Sequence, residues 1–309
     1  AAIPENLSQV RAPDAWPVTE GAGARVWILD SGTAGGYQGH ADLPSLSPLT
    51  CLSFTSWYPD CESPNDFLNY AHGTEVAGVA LARGVSDLYG VAPDVSLYGS
   101  VKLCGGTGGP GGCGDTFAFV YSVTDALEYL RQNGLPDIIN MSFGWESFSQ
   151  AVATAAQEAY NAGDLLVALA GNVVQTGSTV PYPGRYSSVI AVSGVNADDT
   201  FWSGSASGPE VELSAPACVQ TLGAVSGTTV KCGTSYAAPA ASGVAALVWS
   251  ENPGWTNAQV RSWLQSSALD LGITGHNSQF GYGRVDACRA VVSGCIPPPP
   301  PPLDIQIIG

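Results

Sequence analysis

A chain of 309 residues with 26 acidic against 10 basic side chains carries a formal charge of −16 and has no electrostatic basis for gripping nucleic acid or an anionic lipid surface. Its length suits one α/β domain with a large core, and a charged content of 12% argues for a packed globule rather than a disordered chain. Uncharged stretches such as Ala237 to Trp249 are too short and too rich in small residues to span a bilayer, so no membrane anchor is expected.

The chain opens on Ala1-Ala2-Ile3-Pro4, with neither an initiator Met nor a basic-then-apolar leader, and reads as a processed mature form. Short apolar runs follow at Arg25 to Asp30, Ser96 to Leu103, Asp137 to Phe143, Leu165 to Asn172 and Ser188 to Val195. Their continuous apolar character predicts strands buried on both faces. Between them, Asp115 to Asn133 and Phe148 to Ala162 carry apolar residues at helical spacing and stop at Gly134 and Gly163. Alternation of strand and helix predicts a three-layer α/β/α domain with a mostly parallel central sheet.

Ser235 to Trp249 has no charge on any face, which predicts a helix buried inside the domain. Thr256-Asn257-Ala258-Gln259 fits a capping box that opens a surface helix. Eight cysteines fall into four close couples, Cys51 with Cys61, Cys104 with Cys113, Cys218 with Cys232 and Cys288 with Cys295. The even count points to an oxidising compartment, and four short loops are the simplest of the 105 possible connectivities. With no C-x₂₋₄-C pair and no suitably placed histidines, zinc is not expected. The domain is expected over residues 1–295, with 296–309, including Pro297 to Pro302, as a tail or a linker.

Three segments join a reactive side chain to small neighbours. Val26 to Gly32 delivers Asp30 at the C-terminal end of a buried strand, where open α/β sheets place their sites, although Asp30 alone fits a turn equally well. His72-Gly73-Thr74-Glu75-Val76-Ala77-Gly78 sets a histidine at the mouth of a helix that another element can approach closely. Gly233-Thr234-Ser235-Tyr236-Ala237-Ala238-Pro239 sets a serine at the N-terminus of the buried helix, where it is an ordinary N-cap unless partners say otherwise.

The order Asp30, His72, Ser235 in these contexts resembles the subtilisin-like serine proteases, the subtilases, for which that chain order is well known. The resemblance runs from Ser8 to Pro13 near the start to Gly281 to Asp286 near the end. It implies a secreted, monomeric serine endopeptidase of broad specificity, matured from its own propeptide and acting on proteins or peptides. Ser235 would be the nucleophile, His72 the general base and acid, and Asp30 the group that orients the imidazole. Leu169-Ala170-Gly171-Asn172 resembles the family's oxyanion segment and makes Asn172 the side-chain donor. Ser142, Phe143 and Gly144 would line the substrate strand, Leu103, Gly105 and Gly106 the opposite wall of the groove, and Pro181 the pocket for the residue before the scissile bond.

No cofactor for the chemistry is implied, but structural Ca²⁺ is. Asp42 matches one family ligand, while carbonyls of Pro183 and Arg185 with Asn196 form a second candidate set. The match of Gly106 to Gly111 to G-x-G-x-x-G is superficial, since it contains Pro110, is bracketed by cysteines and has no acidic residue at the end of a following strand. Two alternatives compete with the peptidase. A sedolisin-type acid peptidase would use Glu in place of His72, and a catalytically dead binding module would have lost one of the four candidates. Tyr236 departs from the Met usual after the nucleophile, which removes an oxidisable thioether.

Overall fold

The computed structural model describes residues 3–34, 40–54, 61, 72–103, 116–134, 137–223 and 226–295. The predicted Cys104–Cys113 bridge, Gly105, Gly106 and the proline-rich segment lie outside the described residues. In chain order the elements are α1 (Glu5–Gln9), α2 (Ala12–Ala15), β1 (Arg25–Asp30), β2 (Cys51–Ser53), α3 (His72–Leu81) and β3 (Leu97–Lys102). They continue with α4 (Thr116–Gln132), β4 (Ile138–Met141), α5 (Gln150–Ala162), β5 (Leu165–Leu169), α6 (Val173–Thr176) and β6 (Val189–Val195). The last are β7 (Val211–Pro216), β8 (Cys218–Leu222), β9 (Thr228–Cys232), α7 (Thr234–Glu251), α8 (Asn257–Ser267) and α9 (Ala287–Val291).

Among the described residues, seven strands form one sheet in the order β2-β3-β1-β4-β5-β6-β7, every adjacent pair parallel. Strands β4, β5 and β6 are buried at every position, so both faces must be covered. One core holds the apolar residues of α3 and α7 on one face of the sheet, and a second holds those of α4 and α5 on the other. This is the three-layer α/β/α fold expected from the alternation.

From β1 the chain passes to β2 and β3 on one side of it and later to β4 on the other. Beyond the C-terminal end of β1, therefore, the connections diverge and leave a crevice, the place where such sheets bind ligands. The antiparallel hairpin β8–β9 stands outside the sheet and is closed by the Cys218–Cys232 disulfide. Cys51–Cys61 and Cys288–Cys295 are also bonded, as the spacing suggested. Helix α8 opens on the predicted capping box, in which the Thr256 side chain and the Gln259 amide each hold the other's backbone N–H.

Strand β7 escaped the sequence reading because Glu212 occupies one of its buried positions. Arg261 of α8 neutralises that carboxylate through an Nε–Oε1 hydrogen bond of 2.7 Å, so a charge sits inside an otherwise apolar register. Asp164, which precedes β5, is a second buried carboxylate, and its Oδ2 has no hydrogen-bond partner among the described residues. Burial, reinforced by the negative charge of Asp137, pushes its pKa up to about 7.

Since the unfolded chain ionises this carboxyl near 3.8, rising pH strips the proton from the unfolded state first. Asp164 therefore costs stability progressively as pH rises from about 4 to 7. Asp164→Asn should show a thermal midpoint above that of the parent by a few degrees near pH 8, with the gap closing near pH 4. A gap of constant size across a calorimetric pH series would refute this.

Candidate active site

Asp30 ends β1, and its carboxylate is buried at the C-terminal edge of the sheet. Its Oδ1 accepts the Ser31 N–H at 2.7 Å, which fixes the carboxylate plane. His72 is the first residue of α3 and meets that carboxylate through Nδ1, 2.8 Å from Oδ1 and 3.0 Å from Oδ2. The approach of helix to strand depends on glycine. A Cβ on Gly73 would lie 2.1 Å from the Gly32 carbonyl oxygen, and Gly32 itself has φ of +92° with only 2.3 Å between an added Cβ and the Cys61 oxygen. The Gly73 N–H donates to Ser31 Oγ at 3.0 Å, which ties the start of α3 to the end of β1.

His72 is partly open, with 36% of its side chain exposed. Burial works to lower its pKa, but the charge and hydrogen bond of Asp30, together with the charge of Glu75, outweigh burial and the opposing charge of Lys231. The imidazole pKa accordingly stands above its ordinary 6.5.

Ser235 lies in the first turn of α7, directly after Gly233 and Thr234. Pro239 sits inside the same helix and has no N–H to offer the Ser235 carbonyl four residues back. Ser142 Oγ donates to that carbonyl instead, at 2.7 Å. Asn140 Nδ2 donates to Ser142 Oγ at 2.9 Å, and Ser242 Oγ donates to Asn140 Oδ1 at 3.1 Å, so a buried polar relay joins β4 to two turns of α7. The Ser235 hydroxyl donates to the Ser142 carbonyl at 3.3 Å rather than to His72.

Asn172 follows β5 and stands at the N-cap position of the short α6 without a side-chain capping bond. Its Oδ1 accepts from the Thr234 N–H at 2.9 Å and from Thr234 Oγ1 at 3.0 Å, leaving Nδ2 to donate to Gln175 Oε1 at 3.0 Å. His72, Ser142, Phe143, Gly144, Asn172 and Ser235 line one cleft of about 330 Å³. The other expected residues lie around it. Leu103 is buried after β3 with its N–H on the Asp30 carbonyl, and Pro181 backs Gly144, where an added Cβ would meet its Cγ at 2.7 Å.

The expected calcium ligands lie on two separate stretches of the chain. Asp42 is fully buried, and its Oδ2 has no hydrogen-bond partner among the described residues, an orphaned oxygen that fits a cation, while Oδ1 accepts the Ser86 N–H. Asn196 has its amide committed as a donor to Thr200 Oγ1 and the Phe201 carbonyl, and the Pro183 carbonyl accepts the Tyr186 N–H.

Three residues of the site were not singled out in the sequence. Gln175 holds the Asn172 amide, and Glu75 and Lys231 form an ion pair at 2.9 Å beside Tyr236. Glu75 had a legible signal, being a carboxylate among small residues one turn after His72.

Residues 21–283 match the model of the Subtilase family. The chain is 37% identical over 270 residues to Subtilisin DY of Bacillus licheniformis, covering 86% of this chain and 89% of that protein. It is 36% identical over 290 residues to Subtilisin of Bacillus pumilus, covering 91% and 95%. It is also 34% identical over 283 residues to Minor extracellular protease Epr of Bacillus subtilis, where it spans 91% of its own length but 40% of that protein.

The glycine contact at the start of α3 is open to test. Gly73→Ala forces Cβ into the Gly32 carbonyl, an overpacking that typically costs about 1–3 kcal/mol and should lower the thermal midpoint by several degrees. A midpoint equal to that of the parent in a melting experiment would contradict the tight contact.

Proposed function

This chain belongs to the subtilase family of serine endopeptidases, and we propose that Ser235, His72, Asp30 and Asn172 carry out its peptide-bond hydrolysis. The observation that supports this most is the Asp30–His72 hydrogen bond opening into the cleft that Ser235 and Asn172 share. With Nδ1–H held by Asp30, the other imidazole nitrogen is left as the base. Ser235 Oγ turns from the Ser142 carbonyl toward that nitrogen, gives up its proton and attacks the scissile carbonyl. The imidazolium so formed is stabilised by Asp30, protonates the leaving amine and then activates the water that releases the acid product.

Negative charge on the tetrahedral oxygen meets Asn172 Nδ2 and the Ser235 N–H at the N-terminus of the 18-residue helix α7. The backbone of Ser142, Phe143 and Gly144 pairs with the substrate as an added strand. Main-chain recognition of this kind ignores most side chains, hence broad specificity. Secretion belongs to the same proposal, supported by the disulfides and by the extracellular relative. No helix among the described residues is long and apolar enough to cross a membrane. Maturation from a propeptide, a monomeric state and a stabilising Ca²⁺ on Asp42 are carried in it as what the family resemblance implies.

A fluorophosphonate should label Ser235 stoichiometrically, with a pH dependence whose acid limb lies above the ordinary imidazole value of 6.5. Absence of labelling would overturn the assignment, and an optimum in strong acid would favour the sedolisin-type reading. Asn172→Ala should lower kcat by about 10²–10³ while changing KM little, a loss of the size known for the oxyanion-hole asparagine of subtilisin itself. A turnover number within about twofold of the parent would remove Asn172 from the mechanism.

A further inference from the structure

Glu75 is a buried carboxylate one helical turn along α3 from His72, and the proposed reaction gives it no task. Three elements converge on it. Tyr236 of α7, the residue after the nucleophile, donates its hydroxyl to Glu75 Oε2 at 2.7 Å. Lys231 of β9 sets its ammonium 2.9 Å from Oε1, and Thr221 of β8 donates its hydroxyl to the Glu75 carbonyl at 2.5 Å. The hairpin can reach α3 because Gly78 leaves room, an added Cβ there lying 2.6 Å from Thr221 Oγ1 and 2.8 Å from Leu222 Cγ.

Both ends of this arrangement are anchored near the reacting groups. The Tyr236 ring lies 5.7 Å, centroid to centroid, from the His72 ring. Lys231 precedes Cys232, which is bonded to Cys218 and lines the same cleft as Ser235. A buried carboxylate is costly unless paired, and Glu75 is fully engaged, with a cation on one oxygen and a hydroxyl on the other. We propose that Lys231 and Glu75, held in register by Tyr236, form a charge-compensating positioning unit for His72, so that Asp30 alone supplies the net charge that the imidazole feels.

The titratable groups that face His72 among the described residues are Asp30 from β1, Glu75 from α3 itself, Lys231 from β9 and Tyr236 from α7. The charge of Glu75 raises the imidazole pKa and that of Lys231 lowers it, so the two offset each other. Burial and the adjacent carboxylate push the Tyr236 hydroxyl far above its usual range, which keeps it a neutral donor throughout the working pH of the enzyme. Removal of either charge leaves the other uncompensated and moves the acid limb of activity in a direction set by its sign.

This inference rests on His72 acting as the base, and the experiment separates the two. The acid limb of kcat/KM on a chromogenic peptide anilide, and of the rate of fluorophosphonate labelling, is measured for the intact chain and three variants. Lys231→Met should raise the limb by roughly half a unit, Glu75→Gln should lower it by a similar amount, and the double variant should return near the parent. Glu75→Gln keeps an acceptor for Tyr236, so its fold is preserved. Should it nonetheless fail to fold, Lys231→Met on the partly exposed hairpin decides alone.

A merely structural bridge would lower the thermal midpoint or the plateau rate without opposite movements of the limb. Limbs that move in the same direction, or that both stay within about 0.1 unit of the parent, overturn the compensation while leaving His72 as the base. Loss of labelling in the parent overturns both.

Discussion

The close approach of α3 to the end of β1 is the constraint on which the site depends. A histidine at the first position of a helix can meet a carboxylate at the last position of a strand only if the two backbones nearly touch, and Gly73 against the Gly32 carbonyl is that touch. Neither residue has chemistry of its own. Their missing Cβ atoms allow the 2.8 Å contact between His72 Nδ1 and Asp30 Oδ1, a contact that favours the tautomer protonated on Nδ1. Ser31, through its hydroxyl to the Gly73 N–H, closes the same junction from the other side. The active geometry is thus a property of backbone packing as much as of the acid and the base.

A comparable logic governs α7, which must present Ser235 from a helix buried in the domain. Such a helix cannot carry charge, and this one has none between Thr234 and Ser250. It does carry Pro239, which leaves the Ser235 carbonyl without its helical partner. The Ser142–Asn140–Ser242 relay meets that need from the adjacent strand β4 and returns to the helix two turns on. Ser142, expected from its motif to face the substrate, is found holding the Ser235 carbonyl. A polar group left unpaired here would cost more than the bond itself contributes, so the sheet and the helix are joined where Ser235 stands.

What could be read from the sequence follows from where information is local. Strands β4, β5 and β6 are uncharged runs and β1 and β3 carry charge only at their ends, in Arg25, Asp30 and Lys102, so burial on both faces is written into each run alone. Strand β7 was hidden by Glu212, whose partner Arg261 belongs to a distant helix, and the β8–β9 hairpin by its alternating exposed residues outside the main sheet. The site divides in the same way. Asp30, His72 and Ser235 each stand in a local context of small residues. The tasks of Gln175 and Lys231 exist only through a partner side chain, and nothing in their own neighbourhoods distinguishes them from ordinary polar residues.

Asn172 illustrates how a flexible amide becomes a fixed donor. An isolated carboxamide has no preference between its oxygen and its nitrogen, and a rotated amide in the cleft would repel a developing oxyanion. Thr234 removes that freedom by offering two donors, its N–H and its hydroxyl, both of which only Oδ1 can accept. Nδ2 is consequently turned to the opposite side, where Gln175 Oε1 takes one of its hydrogens. Since Thr234 immediately precedes Ser235, the residue that orients the Asn172 amide also carries the backbone that leads into Ser235. In the proposed mechanism the two halves of the oxyanion site are thus tied to neighbouring residues, and the amide is oriented before any substrate arrives.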